Sequence, residues 1–413
     1  MKNKKNNQDS QQENFFEPLN DFKQNGKKRP WDKNKSYSMA VAKAYEYIPG
    51  LEHYGERIAS CGTWLKMMGC PEVKHGNSLK KASFCYCRGC IMCQWRKSLV
   101  VKKQLLELVK EHREEYPSDI PLLLTTTVLN EIAERLDLTI DQMNAAWRRL
   151  MQLKVVRSVT HSWFRSMEIT YNEERDDYHP HFHALLMVPK NYFYKKRGMY
   201  IPRDEWLKLW RQSMRDDRIT QVDIRSLQCG TDAELEMSIG EVAKYMTKPN
   251  SYIFENEFGK KEADPKVIET LHHTTKGRRL IGFGGYFNKI RKAKKMIDIE
   301  KADLVDVDGE GLEAKCHCKI CQKEMIEKIY HWYGSADRYL RKCFKETKNA
   351  IVLREEEKLV PEDQIQEQPR VQKVKRPSIL LEALRKSPRK RRENDGQKKY
   401  GADGERVQCR GPT

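Results

Sequence analysis

His179-Pro-His-Phe-His-Ala-Leu-Leu-Met-Val188 reads in two directions at once. On a strand, alternate side chains share a face, so His179, His181 and His183 point one way and Phe182, Ala184 and Leu186 the other, into a core. Same-face neighbours lie about 6.6 Å apart, from a rise of ~3.3 Å per residue. His181 and His183 can therefore converge on one ion, whereas His179 and His183 stand roughly 13 Å apart. The metal pair is predicted to be His181 and His183, leaving His179 to position the loop or touch a ligand. Two imidazoles leave room for a third ligand and for substrate oxygens. Glu168, in Ser166-Met-Glu-Ile-Thr-Tyr171, is the candidate, and its carboxylate favours Mg²⁺ or Mn²⁺ over a closed zinc site.

Working outward, Ser166–Tyr171 and Phe182–Val188 form the strands of a hairpin joined by the polar loop Asn172–Tyr178. Leu122-Leu-Leu-Thr-Thr-Thr-Val128, between Pro121 and Asn130, is a β-branched apolar run and predicts a buried strand. Thr139 is placed to cap a helix with Met143, Ala146, Trp147, Leu150 and Leu153 on one face. Trp206, Leu207 and Trp210 mark a short helix, followed by a strand at Val222 and Ile224. A last helix is expected from about Asp232 to just before Pro249. Helices returning to an antiparallel sheet predict an α+β layer fold, with a central antiparallel sheet and flanking helices.

Within that last helix, Gly240-Glu-Val-Ala-Lys-Tyr-Met-Thr-Lys248 sets Glu241, Tyr245 and Lys248 on one stripe. A phenol is a poor nucleophile at neutral pH and needs a polarised phosphate and cationic help. Lys244 or Lys248 would depress the tyrosine pKa or bind a neighbouring phosphate. A carboxylate one turn away, Glu241, is placed to activate water against a covalent tyrosyl link.

Composition agrees with a polyanionic partner. The 413 residues carry a formal charge of +19 and 33% charged residues, and Lys and Arg bind nucleic acid chiefly through phosphate. No apolar run approaches the ~20 residues of a spanning helix. The polar, lysine-rich start lacks a secretory apolar stretch, so a cytoplasmic location is expected. No P-loop sequence is present. Residues 1–36 read as a disordered arm and 351–413 as a disordered basic tail, with Lys-Arg-Pro and Arg-Lys-Arg-Arg runs. Between them fall a cysteine-rich region at 37–105, a catalytic-type region at 106–295 and a helical, cysteine-containing region at 296–350.

Twelve cysteines in a reducing compartment point to metal through their clustering. Cys61 with Cys85-Tyr-Cys-Arg-Gly-Cys-Ile-Met-Cys93 offers enough thiolates for a tetrahedral zinc site. Cys316, Cys318 and Cys321 have metal-like spacing, with Cys343 or His331 as a fourth ligand; Cys70, Cys229 and Cys409 are expected to be unligated. Gln94-Trp-Arg-Lys-Ser98 suits phosphate contact, and Gly282-Phe-Gly-Gly285 suggests a turn.

Together these segments resemble the histidine–hydrophobe–histidine endonucleases, most closely the replication initiators of rolling-circle plasmids from Gram-positive bacteria. The resemblance runs through Leu122–Thr127, Trp163–Asn172, His179–His183, Glu241–Tyr245 and Gly277–Phe287, covering roughly Cys61 to Asp303. It implies that Tyr245 nicks the origin through a 5′-phosphotyrosyl link and that Glu241 serves a hydrolytic termination step. It also implies His181 and His183 as ligands of the catalytic ion, and maps a zinc set onto Cys61, Cys85, Cys90 and Cys93, with Cys87 a rival to Cys85. Plasmid origin DNA, a host helicase and the host replication machinery are the implied partners, and a homodimer is compatible. Mobilisation relaxases usually place the tyrosine before the histidines, the reverse of the order here. A transposase or relaxase of the same chemistry and a non-catalytic zinc-containing repressor are the alternatives.

Overall fold

Alternation of apolar and polar residues becomes strand pairing in the computed structural model. It describes residues 14–344 except 24–25, 73–74, 76, 195–198, 228–233, 236–238, 241, 244–245, 248, 306, 308–316 and 319. Residues 1–345 form one compact unit; the other, 346–413, lies outside the described residues.

The elements in chain order are β1 (Asn14–Pro18), α1 (Trp31–Tyr45), α2 (Glu52–Ser60), β2 (Trp64–Gly69), β3 (Asn77–Ala82) and α3 (Ile91–Glu115). β4 (Asp119–Thr127), α4 (Ala133–Gln152), α5 (Lys154–Arg157), β5 (Ser162–Asn172), β6 (Asp177–Pro189), α6 (Arg203–Met214) and β7 (Val222–Ser226) follow. Then come β8 (Met246–Thr247), β9 (Ile253–Glu255), β10 (Lys261–Ala263), α7 (Pro265–Thr275), β11 (Ile281–Gly285), α8 (Tyr286–Ala293), β12 (Ile326–Tyr333) and β13 (Arg338–Phe344).

The central sheet runs β11-β5-β6-β4-β7, antiparallel throughout, and β8 joins β5 in parallel. The expected α+β architecture with an antiparallel sheet and flanking helices is what forms. One face packs on α4 and α6: Trp147 meets Phe182 at 5.6 Å and Phe182 meets Trp210 at 6.4 Å between ring centroids. α3 and α8 cover part of the opposite face, where His112 lies 5.6 Å from Phe287. The same face continues to Glu168, His181 and His183, beyond the end that α3 and α8 cover.

Several local expectations change. α4 begins six residues before Thr139, because Leu136 and Ile140 extend its buried stripe toward the N-terminus. Thr139 is interior and donates its hydroxyl to Glu131 Oε2 at 3.1 Å instead of capping. Gly282–Gly285 is strand, not turn: Gly284 passes beneath the Trp163 indole, where a Cβ would collide, and Gly285 has φ +62°. The helix expected to reach Pro249 does not, since Met246–Thr247 are already extended.

A second sheet, β1-β13-β12-β2-β3, draws strands from both ends of the described chain. β1 and most of α1's first turns fall inside the segment expected to be disordered. Burial of Leu19 and Trp31, both almost fully enclosed, orders them. The cysteine-rich region and the region after 296 likewise share this one sheet, because β12 pairs with β2.

Burial also removes the phosphate role expected for Gln94–Ser98. Arg96 is 0% exposed, lies against the Trp31 and Trp95 rings, and donates Nε to Leu304 O (2.8 Å) and Nη2 to Val305 O (2.9 Å). Lys97 Nζ meets Glu300 Oε2 at 2.5 Å. These groups hold residues 299–305 onto α3. Arg96→Ala is expected to lower stability by about 2–4 kcal/mol, since two carbonyls lose their donor. Urea unfolding measures this, while the salt dependence of nucleic-acid binding stays unchanged. A slope reduced by ~0.9 would instead restore the phosphate contact.

Candidate metal and cysteine centres

Register brings the sequence-predicted ligands together. Glu168 pairs with His181 across β5 and β6, and Ser166 with His183, so all three ligand side chains share a face. His181 Nε2 lies 3.0 Å from Glu168 Oε2 and 3.0 Å from His183 Nε2, and His183 Nε2 lies 2.9 Å from Glu168 Oε2. An octahedral ion with bonds of about 2.1 Å separates adjacent ligand atoms by ~3.0 Å. The three ligand atoms are thus close enough to share one ion.

The outer contacts fix the imidazoles. His181 Nδ1–H donates to the His179 carbonyl at 3.3 Å, leaving the Nε2 lone pair for the centre. His183 Nδ1 meets Thr125 Oγ1 at 3.3 Å, a partner that sequence reading missed. His179 stays outside the triangle and bonds through Nδ1 to Asn130 Oδ1 at 2.8 Å. Burial, then the His181 charge, lowers its pKa. His183 remains the most open of the three at 18% side-chain exposure, against 3% for Glu168. The triangle is therefore most open to solvent at His183.

Glu241, Lys244, Tyr245 and Lys248 lie outside the described residues. Their neighbours are described. The Val242 carbonyl accepts from Ser166 Oγ at 2.8 Å, and Met246, bonded to Tyr245, is the register partner of Glu168. Met246–Thr247, between Tyr245 and Lys248 in sequence, are strand rather than helix.

One buried cluster has the residue types of a hydrolytic triad. Ser162 Oγ meets His112 Nδ1 at 3.0 Å and His112 Nε2 meets Asp119 Oδ2 at 2.9 Å. Ser162 and His112 are 0% exposed, and Ser162 Oγ accepts from Phe287 N. The cluster clamps strand ends to α3 and α8.

Cys61, Cys85, Cys90 and Cys93 converge, with Cys61–Cys93 and Cys85–Cys93 sulfurs 3.5 and 3.7 Å apart. Four sulfurs at about 2.3 Å from a tetrahedral zinc lie ~3.8 Å from one another, so the set fits. Cys87 stays outside, its thiol turned to the Cys85 carbonyl at 3.7 Å. Although burial opposes it, bonds from the Cys61, Cys85 and Cys93 thiols hold the Cys90 pKa well below its usual value. Lys35, also 0% exposed, donates to the Ala59 and Cys61 carbonyls at 2.7 Å each and places a cation beside the sulfurs. Its own pKa is lowered by burial.

The later cysteines assemble differently from expectation. Cys316 lies outside the described residues. Cys343 turns toward Glu17, and among the described residues neither it nor His331 joins a cluster. Cys318 and Cys321 instead meet Cys70, expected to be unligated, and His75, which sequence reading passed over. Position 70 is brought to them by β2–β12 pairing, which short-range spacing does not encode.

An antiparallel sheet presenting two imidazoles and a carboxylate from adjacent strands defines an α+β protein with a candidate metal centre of histidine–hydrophobe–histidine type. The replication protein family matches residues 76–340, and the chain belongs to that family. This bears out the resemblance to plasmid replication initiators of Gram-positive bacteria. A "Protein rep" of Streptococcus pneumoniae serotype 2 is 33% identical over 310 residues, 75% of this chain and 93% of the relative. One from Bacillus amyloliquefaciens is 32% identical over 347 residues, 80% of this chain and 99% of the relative. No solved structure matches the chain. No described helix is long and apolar enough to cross a membrane.

Proposed function

We propose that the protein initiates rolling-circle plasmid replication from the cytoplasm by nicking one strand of origin DNA through Tyr245. The observation that carries this reading is the Glu168–His181–His183 triangle across β5 and β6, with β8, which pairs with β5, beginning at the residue after Tyr245. Met246, the next residue in sequence, is the register partner of Glu168.

A bound Mg²⁺ or Mn²⁺ would polarise the scissile phosphate and stabilise charge on its oxygens. Glu168 and the two Nε2 atoms would hold that ion. Tyr245 Oη loses its proton and forms a bond to phosphorus as the P–O3′ bond breaks. The departing oxygen takes a proton and becomes the 3′-hydroxyl that primes synthesis. Lys244 and Lys248 are assigned cationic support of the phenolate or of neighbouring phosphates. Glu241 is assigned activation of water for the hydrolysis that ends a round. A host helicase would unwind the plasmid, because the sequence has no P-loop. Zinc held by Cys61, Cys85, Cys90 and Cys93 would be structural, since four protein ligands leave no open position.

Incubation with single-stranded origin DNA and Mn²⁺ tests the reading. A covalent adduct is expected, whose tryptic phosphotyrosyl peptide contains Tyr245. An intact strand would favour the repressor alternative, and cleavage confined to the ends of a mobile element would favour the transposase.

A further inference from the structure

We infer that Cys70, His75, Cys318 and Cys321 form a second zinc site, of three thiolates and one imidazole, that fastens the C-terminal hairpin to the N-terminal strands. Cys70 follows the last residue of β2, and His75 lies between β2 and β3. Cys318 and Cys321 sit in a tight turn before β12, closed by Cys318 N→Lys323 O (2.7 Å) and Gln322 N→Cys318 O (2.8 Å). Gly69 pairs with Ile326, and this register brings the two turns together at one end of the sheet.

The separations suit zinc. His75 Nδ1 lies 3.5 Å from Cys70 Sγ and 3.6 Å from Cys318 Sγ. A tetrahedral ion with Zn–S near 2.3 Å and Zn–N near 2.05 Å sets sulfur and nitrogen ~3.6 Å apart. The Cys70 and Cys321 sulfurs are 3.4 Å apart, close to the spacing of two ligands and beyond the ~2.05 Å of a disulfide. Cys70 and Cys318 are buried, and Cys321 and His75 half-buried, so the site is sheltered yet reachable by an ion.

An amide hydrogen meets one of these sulfurs as it would a thiolate: Glu72 N donates to Cys70 Sγ at 3.3 Å. Lys328, 4% exposed, donates Nζ to the Cys70 carbonyl at 3.0 Å. Lys35 does the same for Cys61 at the first cluster. A buried ammonium needs a counter-charge. Three thiolates and a neutral imidazole around Zn²⁺ carry net −1, which matches one lysine. Soft sulfur ligands with one imidazole select zinc over the hard ion of the histidine strand. Cys70 and Cys321 are 251 residues apart, so the ion would close a long loop by linking two short turns.

Metal content of the full-length protein, purified reduced and exhaustively dialysed, tests the inference. Elemental analysis is expected to find about two equivalents of zinc, and Cys318→Ser or Cys321→Ser about one. Cys90→Ser should also lose about one equivalent, from the first cluster, which separates the two assignments. His75→Cys is expected to keep both ions and, with Co²⁺ in place of zinc, to strengthen the sulfur-to-cobalt charge-transfer bands. If the serine variants do not fold, zinc X-ray absorption on the unaltered protein decides. A first shell of about seven sulfurs to one nitrogen supports the site. A pure sulfur shell, undiminished zinc in folded Cys318→Ser protein, or a native Cys70–Cys321 disulfide overturns it.

Discussion

Tyr245→Phe is expected to lower strand cleavage by at least about 10⁴-fold while leaving origin affinity within roughly twofold, as loss of a sole nucleophile does. Only one oxygen is removed, so the fold and the phosphate-binding cations remain. The expectation draws on both ends of the tyrosine's local chain. The Val242 carbonyl is tied to Ser166, and Met246 is in register with Glu168. Val242 and Met246, on either side of Tyr245 in sequence, are thus both tied to the strand that carries Glu168. Gel-shift titration and adduct formation on the same oligonucleotide measure the two quantities separately. Cleavage persisting in the Phe variant, with the adduct on another tyrosine, would discard the assignment.

The metal ligands should show the second-largest effect and a definite ranking. His181→Ala, His183→Ala and Glu168→Ala are each expected to reduce Mn²⁺-supported cleavage by about 10²–10⁴-fold, because each removes a corner of the ligand triangle. His179→Ala should cost less than about tenfold, since His179 supports the His181 backbone side and bonds Asn130 rather than the centre. Mn²⁺ binding followed by electron paramagnetic resonance gives a readout independent of cleavage. It should weaken in the first three variants and stay nearly unchanged in the fourth. Equal losses in all four would mean that the triangle is not the metal centre.

The histidine strand was legible because its information is local. Two-residue alternation sets which side chains share a face, and the rise per residue limits which of them meet. His181 and His183 were therefore separable from His179 before any fold was known. The same alternation in Leu122–Thr127 and Ser166–Tyr171 yielded the central antiparallel strands. Patterns at helix ends were less reliable. Thr139 has the chemistry of a cap, but Leu136 and Ile140 prolong the buried stripe and carry the helix past it. Around Lys248 the helical period continues in sequence, yet pairing of Met246–Thr247 with β5 takes the backbone out of the helix. Arg96 and Lys97 looked like phosphate contacts because charge alone does not report burial.

By itself the sequence determined the α+β class, the basic character of the chain and which side chains of the histidine strand converge, all properties of residue type and near-neighbour spacing. It also bounded the first cysteine cluster, whose last three members fall within nine residues of one another. Tertiary structure alone decided that Cys85 rather than Cys87 completes that cluster, because the choice depends on side-chain direction in a loop. It alone joined Cys70 and His75 to Cys318 and Cys321, through strand pairing across some 250 residues of intervening chain. Pairing between β2 and β12 is set by which faces the rest of the core buries, and that is a cooperative property no local spacing carries.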